Sequence, residues 1–334
     1  MDSPVFCEID LAANGKHQGH LRIPHSVHRS AYGWIPVPIV SIKNGKGPVV
    51  LLMAGNHGDE YEGQVALARL CRTLTADQIS GQVIILPAAN APAAMAGLRT
   101  SPIDHGNLNR SFPGNPNGGP TEVIAHFIES KLLAKADYLL DIHSGGSSLE
   151  YRPTLLMPKV EDQESHIKNV ALLKALGFTK AILYPESVSA NFSSSAARRQ
   201  GALPITAEMA GGGSVNCDAL SILDKAIYRY LDHIGISSRN LDRAQVTSTD
   251  FYEIPGQDYY VYALCEGVFE PLVNIDDCVK KDDLVARIHF PDTPWRLPED
   301  IHCEVAATVI CKRVPARVIC GDCLFELAVA TSVK

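Results

Sequence analysis

No run of lysines and arginines occurs anywhere in this 334-residue chain, and its formal charge is −7. That balance argues against a nucleic-acid or anionic-membrane partner, since both recruit clustered positive charge. Long apolar runs are missing too: none reaches the roughly 20 residues that a membrane-spanning helix needs. The opening "MDSPVFCEID" lacks a basic region followed by an apolar core, so it does not read as a secretory signal. Nor is there a disulfide framework. The nine cysteines are odd in number and scattered, which fits reduced thiols in the cytoplasm. What remains, 46% hydrophobic and 20% charged residues, is the composition of a globular protein with a sizeable core and room for two domains.

Hydrophobic periodicity predicts strands over 37–43, 48–54, 82–87, 138–143, 154–157, 180–184 and 203–208. Helices are predicted at about 60–75, 120–135, 161–176 and 217–235. The alternation implies an α/β domain over 1–245, with a mixed, largely parallel sheet flanked by helices. Residues 88–119 form a long loop rich in Asn, Pro and Gly, and loops of that length are usually functional or disordered. A polar linker, 237–250, precedes a β-rich domain over 246–334. That region holds a faint repeat: a 39-residue offset pairs Val279 with Val318 and Asp283 with Asp322. Such duplication resembles the lipoyl/biotinyl barrel-sandwich module. The hairpin that would carry the modified lysine there reads "PDTPWRLPED", without a lysine, so the module reads as structural.

Chemistry concentrates where strands end. In "LLMAGNHGDEYEG" an apolar strand runs into His57 and Glu60, on the turn that leads to a helix. The carboxyl ends of strands in open α/β sheets are where ligands bind. "LLDIHSGG" brings His143 to a second strand end. Two imidazoles and a carboxylate with an open fourth position make up a catalytic zinc site. Asp141 shares His143's strand face and suits a hydrogen bond to a liganding histidine. His-x-x-Glu alone is a weak signal, and a lone histidine at a strand end is more often simply hydrogen-bonded. The shared location is what raises both. Arg99 and Arg110 lie in the long loop, where an arginine can clamp a carboxylate or stabilise an oxyanion. The bland alternative is a solvated side chain. Glu208 ends a further apolar strand before three glycines, which suits a general base or merely a solvated turn.

Taken in order, "GNHGDEYEG", "LRTSPIDHGNLNRSFPG", "DIHSGG" and "AEMAGGG" resemble the succinylglutamate desuccinylase/aspartoacylase family, of the zinc carboxypeptidase-like fold, over roughly 35–240. The resemblance implies one zinc ion per chain on His57, Glu60 and His143. It also implies Arg99 beside the reacting carbonyl, Asn109 and Arg110 on the substrate carboxylate, and Glu208 as general base and then acid. The family often has Asp-Leu-Asn-Arg where this chain reads Asn107-Leu108-Asn109-Arg110, which leaves the role of position 107 open. Length and "NRSFPG" look most like the branch that deacetylates N-acetyl-2,4-diaminobutyrate in ectoine breakdown.

The reading is thus a zinc amidohydrolase that removes an acyl group, expected to be acetyl, from a small N-acyl amino acid. Two alternatives stand beside it: a zinc carboxypeptidase on short peptides, and a non-catalytic binding protein of the same fold. The partner is a small molecule, and a homo-oligomer is left open. Cys320-Gly321-Asp322-Cys323 carries half of a zinc-knuckle pattern, but no second Cys-x-x-Cys exists. The repeat places that stretch on a β turn matching Lys281 to Leu284, and it reads as structural.

Overall fold

A computed structural model describes residues 3–185, 190–237 and 248–333, with its continuously buried strands at the centre of one large sheet. The first part comprises β1 (Phe6–Cys7), β2 (Gly15–Pro24), β3 (Trp34–Asn44), β4 (Val49–Ala54), α1 (Tyr61–Thr73), β5 (Gly81–Leu86), α2 (Ala91–Ala96) and α3 (Pro120–Phe127). It continues with β6 (Tyr138–Ser144), β7 (Leu149–Tyr151), β8 (Thr154–Pro158), α4 (Gln163–Leu176), β9 (Lys180–Tyr184), α5 (Ser193–Arg199), β10 (Leu203–Met209) and α6 (Cys217–His233). The C-terminal part is built of strands, with one 3-10 turn at Gln257–Tyr259: β11 (Asp250–Glu253), β12 (Tyr260–Tyr262), β13 (Gly267–Pro271), β14 (Cys278–Val279), β15 (Leu284–His289), β16 (Glu299–His302), β17 (Ala307–Arg313), β18 (Arg317–Val318) and β19 (Cys323–Ala330).

The fold is mixed α/β. Strands β5, β4, β6 and β10 lie side by side and parallel, and antiparallel strands extend the sheet on either flank. Val50 to Ala54 and Val83 to Leu86 are fully buried, as strands covered on both faces must be. Helices α1, α4 and α6 cover one face through Leu67, Leu173 and Leu223, and α2, α3 and α5 cover the other through Ala91, Ile124 and Ala197. Each face therefore closes its own apolar cluster.

Several elements differ from the sequence reading. The loop at 88–119 contains α2 and a 3-10 turn at Leu108–Arg110. The helix expected over 120–135 ends its α-helical part at Phe127 and finishes as a π turn and a 3-10 turn. Strand β2 and helix α5 had no counterpart in the reading. The expected boundary at 245/246 and most of the polar linker lie outside the described residues. Beyond them, β11 pairs parallel with β9, and β19 and β17 continue the same sheet.

The repeat has a structural counterpart. Strands β13, β14 and β15 correspond to β17, β18 and β19 at the same offset. Each repeat lends its short middle strand to the other: β14 pairs with β17, and β18 pairs with β13. Even the turns match. Lys280 N donates to Asp283 Oδ2 at 2.8 Å, and Ile319 N to Asp322 Oδ2 at 3.0 Å. Asp282 and Gly321 hold equivalent positions, both with positive φ (68° and 91°). The Cys-x-x-Cys stretch is thus one of two equivalent β turns, and all nine cysteines are free.

Candidate active site

The turn after β4 is shaped by glycine. Gly55 has φ +67°, and a Cβ on Gly58 would lie 2.0 Å from the Ala93 backbone, so α2 can pack onto this turn only if position 58 is glycine. The packed turn aims four polar side chains. Asp59 accepts from Ser147 N and Ser147 Oγ, both at 2.8 Å, and so fixes the turn after β6. Glu62 accepts from Asn216 N at 3.1 Å and tethers the turn after β10. His57 and Glu60 are left to face the cavity.

His143, on β6, meets them there. His57 Nδ1 lies 2.7 Å from Glu60 Oε1, and His143 Nδ1 lies 2.8 Å from Glu60 Oε2. One ligand atom from each of the three residues falls within 4.8 Å of the others, and all three are buried. The far sides of both rings are engaged by oxygen acceptors. His57 Nε2 faces Asn107 Oδ1 at 3.1 Å, and His143 Nε2 faces Asp141 Oδ2 at 3.0 Å. With the ring proton of each histidine on Nε2, each Nδ1 lone pair would be available to an ion at the shared centre. This donor set fits a divalent metal ion: two neutral imidazoles, one carboxylate and a side open to the cavity. Burial by itself would raise the Glu60 carboxyl, but the His143 and His57 imidazoles outweigh it and hold it well below the usual carboxylate range. Burial would lower His143, yet Asp141 and then Glu60 raise it well above the usual imidazole value.

Glu208 is the register partner of His143 on the adjacent parallel strand β10, so the two side chains emerge on one face. Its Oε2 is buried without a hydrogen-bond partner. Burial, opposed by His143 but reinforced by Glu60 and Glu326, pushes its carboxyl well above the usual range. A cavity of about 520 Å³ is lined by His57, Glu60, Arg99, Asn109, Arg110, His143 and Glu208 together. Arg99 Nη1 stands 3.5 Å from Glu60 Oε1. Arg110 stacks on Phe192, 4.3 Å from its ring centroid, and its Nη1 donates to the Asn109 carbonyl oxygen at 2.9 Å. Burial, then the nearby charge of Arg99, lowers the Arg110 guanidinium from its ordinary value. Two guanidiniums held at one cavity wall are a ready anion site.

Residues 46–234 match the family model of the succinylglutamate desuccinylase/aspartoacylase catalytic domain. The chain belongs to the succinylglutamate desuccinylase/aspartoacylase family. It is therefore an amidohydrolase acting on N-acyl amino acids. It is 36% identical to an N-alpha-acetyl-L-2,4-diaminobutyric acid deacetylase of Halomonas elongata, over 98% of this chain and 95% of that one. Among solved structures it resembles the product-bound ectoine utilization protein EutE (DoeB) from Ruegeria pomeroyi, with a TM-score of 0.93 and 37% identity over 98% of this chain and 100% of that one. A succinylglutamate desuccinylase/aspartoacylase from Rhodobacter sphaeroides gives a TM-score of 0.91 and 32% identity over 98% and 100% of the two chains.

In this family member the cavity also has walls that the sequence reading did not find. Asn107, left open there, holds the His57 ring. Ser193 Oγ and Asn56 Nδ2 donate to Asp141 Oδ2, and Ser193 N donates to Asn109 Oδ1 at 2.9 Å. Phe192 and Ser193 sit in a stretch with no pattern that marks them, and Asn56, inside "GNHGDEYEG", was given no role there. Tyr151, Tyr260 and Glu326 line the cavity from β7, β12 and β19. Only Glu326 left a trace in the sequence, as a lone acid inside the apolar strand "CLFELAVA".

Proposed function

We propose that this amidohydrolase is a zinc enzyme that removes the acetyl group from a small N-acetyl amino acid, with N-acetyl-2,4-diaminobutyrate as the candidate substrate. The observation that carries the reading is the convergence of a three-residue metal-binding set, an unpartnered buried carboxylate and two arginines on one cavity. His57, Glu60 and His143 would hold the ion. When bound there, zinc would polarise the amide carbonyl and lower the pKa of a water molecule toward about 7. Glu208 takes the proton of the attacking water and passes it to the departing amine nitrogen. Arg99 faces the oxygen on which negative charge grows, a contact that strengthens as the amide carbon becomes tetrahedral. Asn109 and Arg110 hold the substrate carboxylate.

The substrate assignment is supported by the name of the Halomonas relative, which aligns along nearly the whole length of both chains. Walls supplied by the C-terminal strands favour a small acyl amino acid over a peptide. Nine free thiols fit a cytoplasmic setting. The test is a zinc-loaded preparation assayed with a panel of N-acetyl and N-succinyl amino acids. Acetate release, fastest from N-acetyl-2,4-diaminobutyrate, is expected. Inactivity toward the whole panel overturns the reading, and a preference for succinyl substrates overturns its acetyl part.

A further inference from the structure

We propose that Glu326 recognises a cationic side chain on the substrate and makes the cavity selective for acyl amino acids that end in an ammonium group. The proposal rests on the acylase reading and adds to it the residue that chooses the side chain. Strand β19 is otherwise apolar, and its Leu324, Phe325, Leu327 and Ala328 fill the core. A carboxylate in such a strand needs a reason, because burying one without a cation is costly.

The sheet explains where this carboxylate points. Tyr151 on β7 pairs with Cys311 on β17, Cys311 with Glu326 on β19, and Glu326 with Tyr260 on β12. Directly paired residues on neighbouring strands project to the same face, so the four form one row across four strands. A bulge between Val309 and Cys311 sets this register, and bulges re-aim side chains. Cys311 is fully buried, while Tyr151, Glu326 and Tyr260 reach the cavity. Tyr151 OH donates to Glu326 Oε2 at 2.7 Å, and the Tyr260 hydroxyl donates to the same carboxylate. These are neutral donors: they fix the carboxylate's orientation without neutralising it. Among the described residues, the acidic side chains that line the cavity are Glu60, Glu208 and Glu326, and of these Glu60 belongs to the metal set and Glu208 to proton transfer. Glu326 is the carboxylate left for the ligand, as the arginines are left for the ligand's anion.

The experiment compares N-acetyl-2,4-diaminobutyrate with N-acetyl-2-aminobutyrate, which lacks the ammonium, in the wild type and in Glu326→Gln. Binding of the two free amino acids is measured in parallel by calorimetry, which needs no turnover. The wild type is expected to favour the cationic member of each pair. Glu326→Gln should raise KM for the cationic substrate, and weaken binding of 2,4-diaminobutyrate, by roughly 10- to 100-fold. The neutral compounds should change by no more than about 2-fold, on the additivity expected of a conservative change. Glu326→Asp, which keeps the charge, should retain part of the preference and guards against a folding defect in the amide variant. An equal penalty on both substrates, or a wild type that favours the neutral side chain, overturns the assignment while leaving the acylase intact. If no acyl compound is hydrolysed, the acylase reading fails, and equal calorimetric affinity for the two free amino acids then overturns the role of Glu326 as well.

Discussion

Glu208 and Asn107 illustrate two kinds of dependence at the scale of single residues. Glu208 has a carboxylate oxygen buried without a partner, next to a histidine of the metal set. Replacing it with Gln keeps the shape and removes the ability to accept a proton. Turnover is expected to fall by about 100- to 10,000-fold with zinc content unchanged, checked by kinetics alongside elemental analysis. Near-normal turnover would show that another group is the base. Asn107 acts through His57. Its side-chain oxygen holds Nε2 at 3.1 Å and so presents Nδ1 to the metal position. Asn107→Leu should weaken metal affinity roughly 10- to 100-fold in a chelator competition, and Asn107→Asp should restore it. At this scale the sequence was most informative. His57, Glu60, His143 and Glu208 stand in short motifs beside strand ends, Arg99, Asn109 and Arg110 in the motif of the long loop, and the structure gathers all of them at one cavity. Ser193 and Phe192 could not be read, because a serine and a phenylalanine in "NFSSSAARR" show their use only once the chain has brought them across from Asn109 and Arg110.

Periodicity decided what could be read at the scale of elements. Strands buried on both faces announce themselves as unbroken apolar runs, and β4, β6, β9 and β10 lie where the sequence put them to within a residue or two. Strand β2, "GKHQGHLRIP", is mostly half-exposed and mixes glycine, histidine and lysine, so neither period is visible. Helices α2 and α5, six and seven residues long, are too short to show a helical repeat. The long loop is ordered by a feature with no periodicity at all. Asp104 Oδ1 and Oδ2 accept from Thr121 Oγ1 and Thr121 N, both at 2.8 Å, which pins the segment before Asn107 to the first turn of α3. Asp104→Ala should cost about 1–2 kcal/mol in a denaturant titration, as loss of a helix cap does. Burial would raise the Asp104 carboxyl, but the Thr121 amide and hydroxyl lower it below the ordinary value. A depressed folded-state pKa gives stability that is present above the unfolded value of about 4 and is lost as pH falls through the folded one. The wild-type advantage over Asp104→Ala should thus be constant above about pH 5 and shrink at lower pH. An advantage that grew on acidification would remove this carboxylate from the account.

At the scale of the whole molecule, the β-rich C-terminal part and the α/β part share a sheet. Strand β11 continues from β9, and β19 and β17 follow it. Between them lies a small apolar cluster that contains Ile182 and Tyr252 as well as Ile310, Cys311 and Ala328. The C-terminal strands also keep a core of their own around Phe269, Val285 and Phe325. Their repeat was legible because it preserved side-chain character at a fixed offset. Their attachment to the main sheet was not, because strand pairing across a polar linker leaves no local pattern. If the shared sheet governs stability, loosening the junction should lower the melting of the entire chain. Ile310 is fully buried there, and truncating such a side chain to alanine typically costs about 2–5 kcal/mol. Calorimetry of Ile310→Ala should show one transition shifted to lower temperature, with calorimetric and van't Hoff enthalpies in agreement. Acylase activity should disappear in the same temperature range, since Tyr260 and Glu326 wall the cavity from the C-terminal side. Two resolved transitions, with only one moved by the substitution, would mean that the two parts fold independently and that the pairing of β9 with β11 contributes little to their coupling.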